Sequence, residues 1–504
     1  MLTTINPLNL VISHENWVGL MPYLILLAGS ILSLLLGTVH FSTGKNSKAP
    51  VFLFSSFVLV AAIVWNCMHW THVPMQLFNG TMAIDYFSSM FNVLLCGATL
   101  LVLFGSYRYL DKDHIHYSEF YALIMIATLG MMLLASAIDL LSIFVSLELM
   151  SLAVYVLVGM RRKDRSSNEA SVKYFVMGGV AAALYLYGTA LTYGALNTTK
   201  LAHISMILSK EGTQVLTNPI LIVGITLILV GFLFKVAVVP FHMWTPDVYE
   251  GSPTLITGYM ASALKAAVFA AFIRVSVVVF GDQGVHHLGS LQHVAHQLVW
   301  WLCLATMLVG NIVALMQNNI KRILAYSAIA HTGYLLLGML AGPSVGYSSI
   351  ILYLITYVVT SLGAFGLLGV FSGSYDQSLT VEKLTGIAYK HPLSAAAFSI
   401  FLLSLGGLPP TAGFVGKYFM FSAALESGET LLVLLALITS VLSIYYYFRI
   451  VVFMYMKENT AVSSYEKHSS RIAYLAIAVC VLLTLHFGFF PGQIIHMVKK
   501  AAIF

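Results

Sequence analysis

An all-α, polytopic membrane bundle follows from three features of this chain. It is 59% hydrophobic and only 9% charged over 504 residues, where soluble domains are about one quarter charged. Its apolar residues gather into about 14 runs, each near the roughly 20 residues that cross a bilayer. The runs do not alternate apolar and polar as barrel strands do, so the backbone groups must be satisfied within helices.

The runs centre near residues 28, 60, 98, 128, 150, 183, 230, 266, 307, 332, 359, 408, 441 and 482. The first, near 18–38, has no basic stretch ahead of it and is expected to stay in the membrane rather than be removed as a signal. Spans 1–3 form an N-terminal segment (1–117). Spans 4–8 (118–280) and 9–13 (281–456) form two five-helix units, and span 14 closes the chain (457–504). Span 7 carries Pro240 in its interior, and span 12 carries Gly406-Gly407-Leu408-Pro409-Pro410. Proline removes a donor and clashes with the preceding turn, so both helices must break. Broken helices five spans apart imply inverted repeats, because an odd number of crossings reverses direction, and such breaks point to a transport site.

Loop charge sets the orientation. Lysines and arginines crowd the loops after odd-numbered spans, from Lys45, Lys48, Arg108 and Lys112 through Arg161, Arg162, Lys321 and Arg322 to Lys467 and Arg471. The other side holds Lys200, Lys210, Lys499 and Lys500. The crowded side is expected to face the cytoplasm, with both termini outside. The net charge of +6 belongs to these loops, and no basic block suits a nucleic-acid surface. Cys67, Cys96, Cys303 and Cys480 are scattered without a CxxC pair, which argues against an iron–sulfur cluster or structural zinc in this chain.

Among the charged residues that interrupt the apolar runs are Glu148, Lys173, Lys235, Lys265 and Lys417. A charge inside a bilayer is costly and by default functional, on an ion or proton path. Glu148 lies about nine residues from Asp139, roughly 14 Å deep at 1.5 Å per residue, with Lys173 of the next span as its expected counter-ion. Lys265 lies about 17 Å deep, too far to snorkel easily. Lys235 precedes the first break and Lys417 follows the second. Arg274, near the outer end of span 8, is expected to snorkel. His242 and His331 also fall inside spans, and imidazole titrates near neutral pH. Desolvation can bring a lysine from its ordinary pKa near 10.4 toward neutrality. A charge change about 10 Å away is worth roughly 1.7 kcal/mol at an effective dielectric of 20, so a row of such groups can pass protons. Ser262, Ser327, Thr332 and Tyr334 can hold water between them.

These stretches resemble a known family. GFLFKVAVVPFHMWTPDVYEGSPT (231–254), SLELMSL around Glu148, EASVKYF around Lys173, SALKAA around Lys265, NIKRILAYSAIAHTGY (319–334) and LPPTAGFVGKYF (408–419) are similar to the antiporter-like membrane subunits of respiratory complex I. HMWTPDVYEGSP is most like the subunit N branch. The resemblance implies a proton channel of NADH:quinone oxidoreductase in a bacterial inner membrane, packed among the other membrane subunits. Glu148 and Lys173 would form a coupling pair, Lys235 and Lys265 would carry the proton, and Lys417 would lie toward the exit. NADH, FMN, iron–sulfur clusters and quinone would belong to partner subunits, with no cofactor in this chain, which lacks a dinucleotide fingerprint. The alternatives are an Mrp-like cation/proton antiporter subunit and the equivalent subunit of a ferredoxin- or F420-linked oxidoreductase.

Overall fold

The computed structural model describes residues 14–42, 48–70, 74–112, 115, 117–211, 218–280, 289–372, 379–457 and 471–502. Lys45, Lys467, both chain ends and the loop at 281–288 lie outside the described residues. Among the described residues, twelve helices are long and apolar enough to cross a membrane. In chain order the bundle begins with α1 (His14–Ser42), α2 (Lys48–Met68), α3 (Tyr86–Lys112), α4 (Tyr117–Ser136), α5 (Leu140–Val158), α6 (Arg165–Leu196) and the short α7 (Leu201–Glu211). It continues through α8 (Pro219–Lys235), α9 (Trp244–Gly251), α10 (Thr254–Tyr259), a π-turn (Met260–Leu264) and α11 (Lys265–Phe280). Then come α12 (Gly289–Leu315), α13 (Ile320–Leu340), α14 (Tyr347–Phe371), α15 (Ile387–Lys390), α16 (Pro392–Gly406), α17 (Ala412–Glu426), α18 (Thr430–Met456), α19 (Arg471–Phe489) and α20 (Gly492–Ala501). A hairpin of β1 (Met75–Leu77) and β2 (Met82–Ile84) precedes α3.

The two remaining expected spans, near 230 and 408, are broken pairs: α8 with α9, and α16 with α17. Both first halves end the same way. At the end of α8, Val238 N donates to Leu233 O (2.9 Å) and Ala237 N to Phe234 O (3.1 Å). At the end of α16, Leu408 N donates to Leu403 O (3.0 Å) and Gly407 N to Ser404 O (2.9 Å). This is a Schellman ending, which needs a left-handed residue after the helix. Gly407 (φ 82°) adopts it freely, while Ala237 (φ 61°) holds it against a cost of about 1 kcal/mol. The carbonyl of Phe234, freed at the helix end, also accepts from Trp244 Nε1 at 3.1 Å.

A second correspondence joins the entries to α5 and α13. Leu140 N donates to Thr199 O (3.0 Å) and Leu201 N to Ile138 O (3.1 Å). In the same relative positions, Ile320 N donates to Leu379 O (2.8 Å) and Val381 N to Asn318 O (3.0 Å). Asp139 caps α5 and Asn319 caps α13, each accepting from the first turn through its side chain. Gly130 lets α4 close on the backbone of Met150, and Gly310 lets α12 close on that of Ala330, both at distances a β-carbon would forbid.

The run 254–277, which carries Lys265, is the most enclosed of the twelve, 94% buried in its apolar window. The described part of α1, together with α2 and α6, turns broad apolar faces outward, with residues such as Phe57, Val172 and Val180 exposed. That distribution is what a lipid-facing wall around a polar interior requires. The protein is a multi-pass membrane protein.

Arg274 corrects an expectation. It does not snorkel. It is 6% exposed, its Nη2 reaches both carboxylate oxygens of Asp85 at 2.9 Å, and its Nε donates to Ala135 O at 2.8 Å. The residue after the hairpin, Asp85, meets Arg274 of α11, so the guanidinium is satisfied inside the protein and ties the N-terminal segment to the lysine-bearing helix.

Candidate functional site

At one end of the bundle, α9 is fastened by charge. Lys173 Nζ lies 2.7 Å from Glu169 and 3.1 Å from Asp247. Arg322 Nη1 lies 3.0 Å from Asp247 and 2.8 Å from Glu250. Asn319 donates to Glu250 at 2.7 Å, and Lys321 donates to the Glu250 and Ser252 carbonyls at 2.8 and 2.6 Å. A cavity of about 120 Å³ opens beside Glu169, Lys173, Asp247 and Glu250, room for several waters. This overturns the expected Glu148–Lys173 pair, because Lys173 points to α9 instead. Glu148 is half-buried, and its Oε1 has no hydrogen-bond partner among the described residues. It lies in one helical stripe with the exposed Leu141, Val145 and Leu152, a spacing of whole turns.

Deeper in, Lys235 donates to Ser151 Oγ at 2.7 Å and to Tyr155 OH at 3.2 Å. Lys235 and Lys265 line one cavity of about 10 Å³, together with Tyr174, Trp244 and Tyr249, at the lower limit for a single water. The π-turn Met260–Leu264 immediately precedes Lys265, and such turns concentrate at functional positions. Lys265 is 4% exposed; its Nζ donates to Ala328 O at 2.5 Å and lies 5.6 Å from the Tyr357 ring centre.

Beyond Lys265, His331 sits between two tyrosines. Its Nδ1 bonds the Tyr353 hydroxyl, its Nε2 lies 3.3 Å from the Tyr447 hydroxyl, and Tyr447 in turn bonds Ser327. Lys417, also 4% exposed, donates to Gly406 O at 3.0 Å and to Ser440 Oγ at 2.9 Å. Gly406 is the last residue of α16, whose final carbonyls lack helical partners and carry the negative end of the dipole. The second break therefore supplies the acceptor for the lysine that follows it. His242 lies within the first break, half-buried, and its Nδ1 has no partner among the described residues.

The interior site is thus Lys235, Lys265, His331 and Lys417, each met by neutral oxygens. Glu148, Lys173 and His242 lie outside that chain of contacts. Asp247, Ser151, Tyr353, Tyr447 and Ser440 are not apparent in the sequence, because a hydroxyl or a lone carboxylate at a helix end carries no spacing signal. The internal correspondence was the one available clue. The shift that lays Leu140 on Ile320 also lays Lys173 on Tyr353 and Ser151 on His331.

Residues 137–443 match the family described as NADH:quinone oxidoreductase/Mrp antiporter, transmembrane. A relative from Trichlorobacter lovleyi, NADH-quinone oxidoreductase subunit N, is 38% identical over 482 residues, 96% of each chain. The chain belongs to this family of antiporter-like membrane subunits. A chain of respiratory complex I from Thermus thermophilus, solved with bound aureothin, superposes with a TM-score of 0.78 at 34% identity, covering 94% of this chain and 98% of that one. A chain of the Mrp complex from Dietzia sp. shares the fold, with a TM-score of 0.79 at 22% identity, covering 95% of this chain and 96% of the other. Antiporter-like subunits of this kind thus occur as parts of larger membrane complexes.

Proposed function

We infer that this chain is a proton-translocating membrane-arm subunit of an NADH:quinone oxidoreductase, of the subunit N type, and that Lys235, Lys265, His331 and Lys417 carry its proton. One observation bears most of the weight: two lysines, each 4% exposed, lie on either side of a buried histidine, and both are held by carbonyl and hydroxyl oxygens rather than carboxylates. An ammonium held only by dipoles in a dry interior gives up its proton far more readily than one in an ion pair. The chain itself performs no redox step in this reading; NADH oxidation and quinone reduction belong to partner subunits, and this chain holds no cofactor.

The reading includes the two inverted units, 118–280 and 281–456, supported by the hydrogen bonds that recur at the two breaks and at the entries to α5 and α13. It puts the chain in a bacterial inner membrane with both termini outside, so that protons enter from the cytoplasm through the polar cavity at the ion-paired end, beside the Lys173–Asp247 pair rather than through it. Glu148, on a stripe of exposed apolar residues, would meet a neighbouring subunit. With Lys173 and His242 it would modulate the path rather than conduct. The identity to an oxidoreductase subunit over nearly the whole chain supports this over an antiporter.

The test is Lys265→Ala in the assembled complex, reconstituted into vesicles. Protons pumped per NADH should fall at least several-fold while the complex still assembles. Wild-type pumping by this variant contradicts the assignment.

A further inference from the structure

The gap between Lys265 and Lys417 is bridged by His331, and both of its ring nitrogens are engaged by tyrosine hydroxyls: Tyr353 at Nδ1 and Tyr447 at Nε2. Both tyrosines are buried, at 2% and 1% exposure. Each continues beyond the histidine. Tyr447 bonds Ser327, which adjoins the Ala328 carbonyl that holds Lys265. Tyr353 and His331 line a cavity of about 10 Å³ with Thr356, Thr360 and Ser404, a place for about one water. Ser404 pairs with Thr360 at 3.2 Å and accepts from Gly413 N at 3.0 Å, across the break whose Gly406 carbonyl holds Lys417.

Laying Leu140 on Ile320 brings Ser151 onto His331 and Lys173 onto Tyr353. Laying the first break on the second, Leu233 on Leu403, brings Lys235 onto Leu405. In the first unit Lys235 bonds Ser151. In the second, Leu405 cannot make that bond, and the lysine of the sixth span is a tyrosine. The two lysine positions are lost, and a histidine and a tyrosine stand in the same neighbourhood, bonded to each other.

We propose that Tyr447 and Tyr353 are proton-relaying residues on either side of His331, so that the second half of the path is a tyrosine–histidine–tyrosine bridge. The proposal rests on the lysine relay above. A proton arriving at the Tyr447 oxygen forms a new O–H bond as the original hydroxyl proton passes to Nε2. The Nδ1–H bond then breaks as the Tyr353 oxygen accepts that proton, and the original Tyr353 proton leaves to a water in the cavity. Each oxygen ends with one proton and no electron moves. The ring ends in its other tautomer and resets before the next passage.

The experiment measures protons pumped per NADH by the reconstituted complex carrying Tyr353→Phe or Tyr447→Phe, beside Lys265→Ala. Each phenylalanine removes one oxygen, and each should cut pumping at least threefold. Tyr353→His, which restores a donor and an acceptor, should recover more than half of the loss. Tyr259→Phe removes a hydroxyl buried against Thr128 at 2.9 Å and should pump normally. If both phenylalanine variants pump like wild type while Lys265→Ala does not, the bridge is wrong and the lysine relay stands. If Lys265→Ala also pumps normally, the relay itself falls. Failure of both phenylalanine variants to assemble makes the tyrosines packing elements and overturns the proposal.

Discussion

The charged end at α9 and the interior around His331 solve opposite problems with the same residue type. Lys173, 41% exposed on its side chain, is paired with two carboxylates beside a roomy polar cavity. Lys265 and Lys417 are enclosed and meet carbonyl and hydroxyl oxygens. Ion pairing fixes a charge, and exposure makes the pair weak, typically about 0–1 kcal/mol. Dipoles alone tolerate a charge without fixing it, and burial makes its presence or absence energetically large. Depth and partner, rather than the lysine itself, separate a latch from a carrier.

Lys417→Met keeps length and removes the charge. Protons pumped per NADH should fall at least tenfold while thermal stability stays level or rises, because an ammonium buried without a counter-ion carries a desolvation cost that the apolar side chain does not. A marked loss of stability would mean that Lys417 is structural. Next in size is Asp85→Asn, which strips the carboxylate from a guanidinium that is 6% exposed. Removing one partner of a buried pair costs about 3–5 kcal/mol, so a melting experiment should find a clearly less stable complex, with pumping per assembled complex preserved. The weakest effects belong to the exposed end. Asp247→Asn, which releases Lys173 and Arg322 together, should slow turnover two- to fivefold in a steady-state assay. Glu169→Gln, at a 62% exposed side chain, should change it by less than twofold. Equal effects of these two would remove the reason for treating Asp247 as the latch.

Much of this was legible in the sequence. A lysine in an apolar run announces its depth, and Pro240 and the Gly407–Pro410 stretch announced the breaks, because local sterics decide them. What stayed hidden was pairing across distance. Asp247 lies 74 residues from Lys173, on a helix too short to have its own pattern. Arg274 read as a snorkelling residue because nothing local reveals that a hairpin 189 residues earlier supplies Asp85. Tyr353 and Tyr447, in long apolar helices, look like core filler until their hydroxyls are placed against His331. The Schellman turn at Ala237 was equally silent, since alanine gives no sign of a left-handed backbone, whereas Gly407 does.

If Lys265 works by losing and regaining a proton, Lys265→Arg removes that ability while keeping the charge. Arginine keeps the positive charge and the hydrogen-bond donors but does not deprotonate in proteins. Protons pumped per NADH by the reconstituted Lys265→Arg complex should fall as far as in Lys265→Ala, with the complex assembled. Pumping at the wild-type ratio would show that a fixed charge suffices, and the account of a titrating lysine would be wrong.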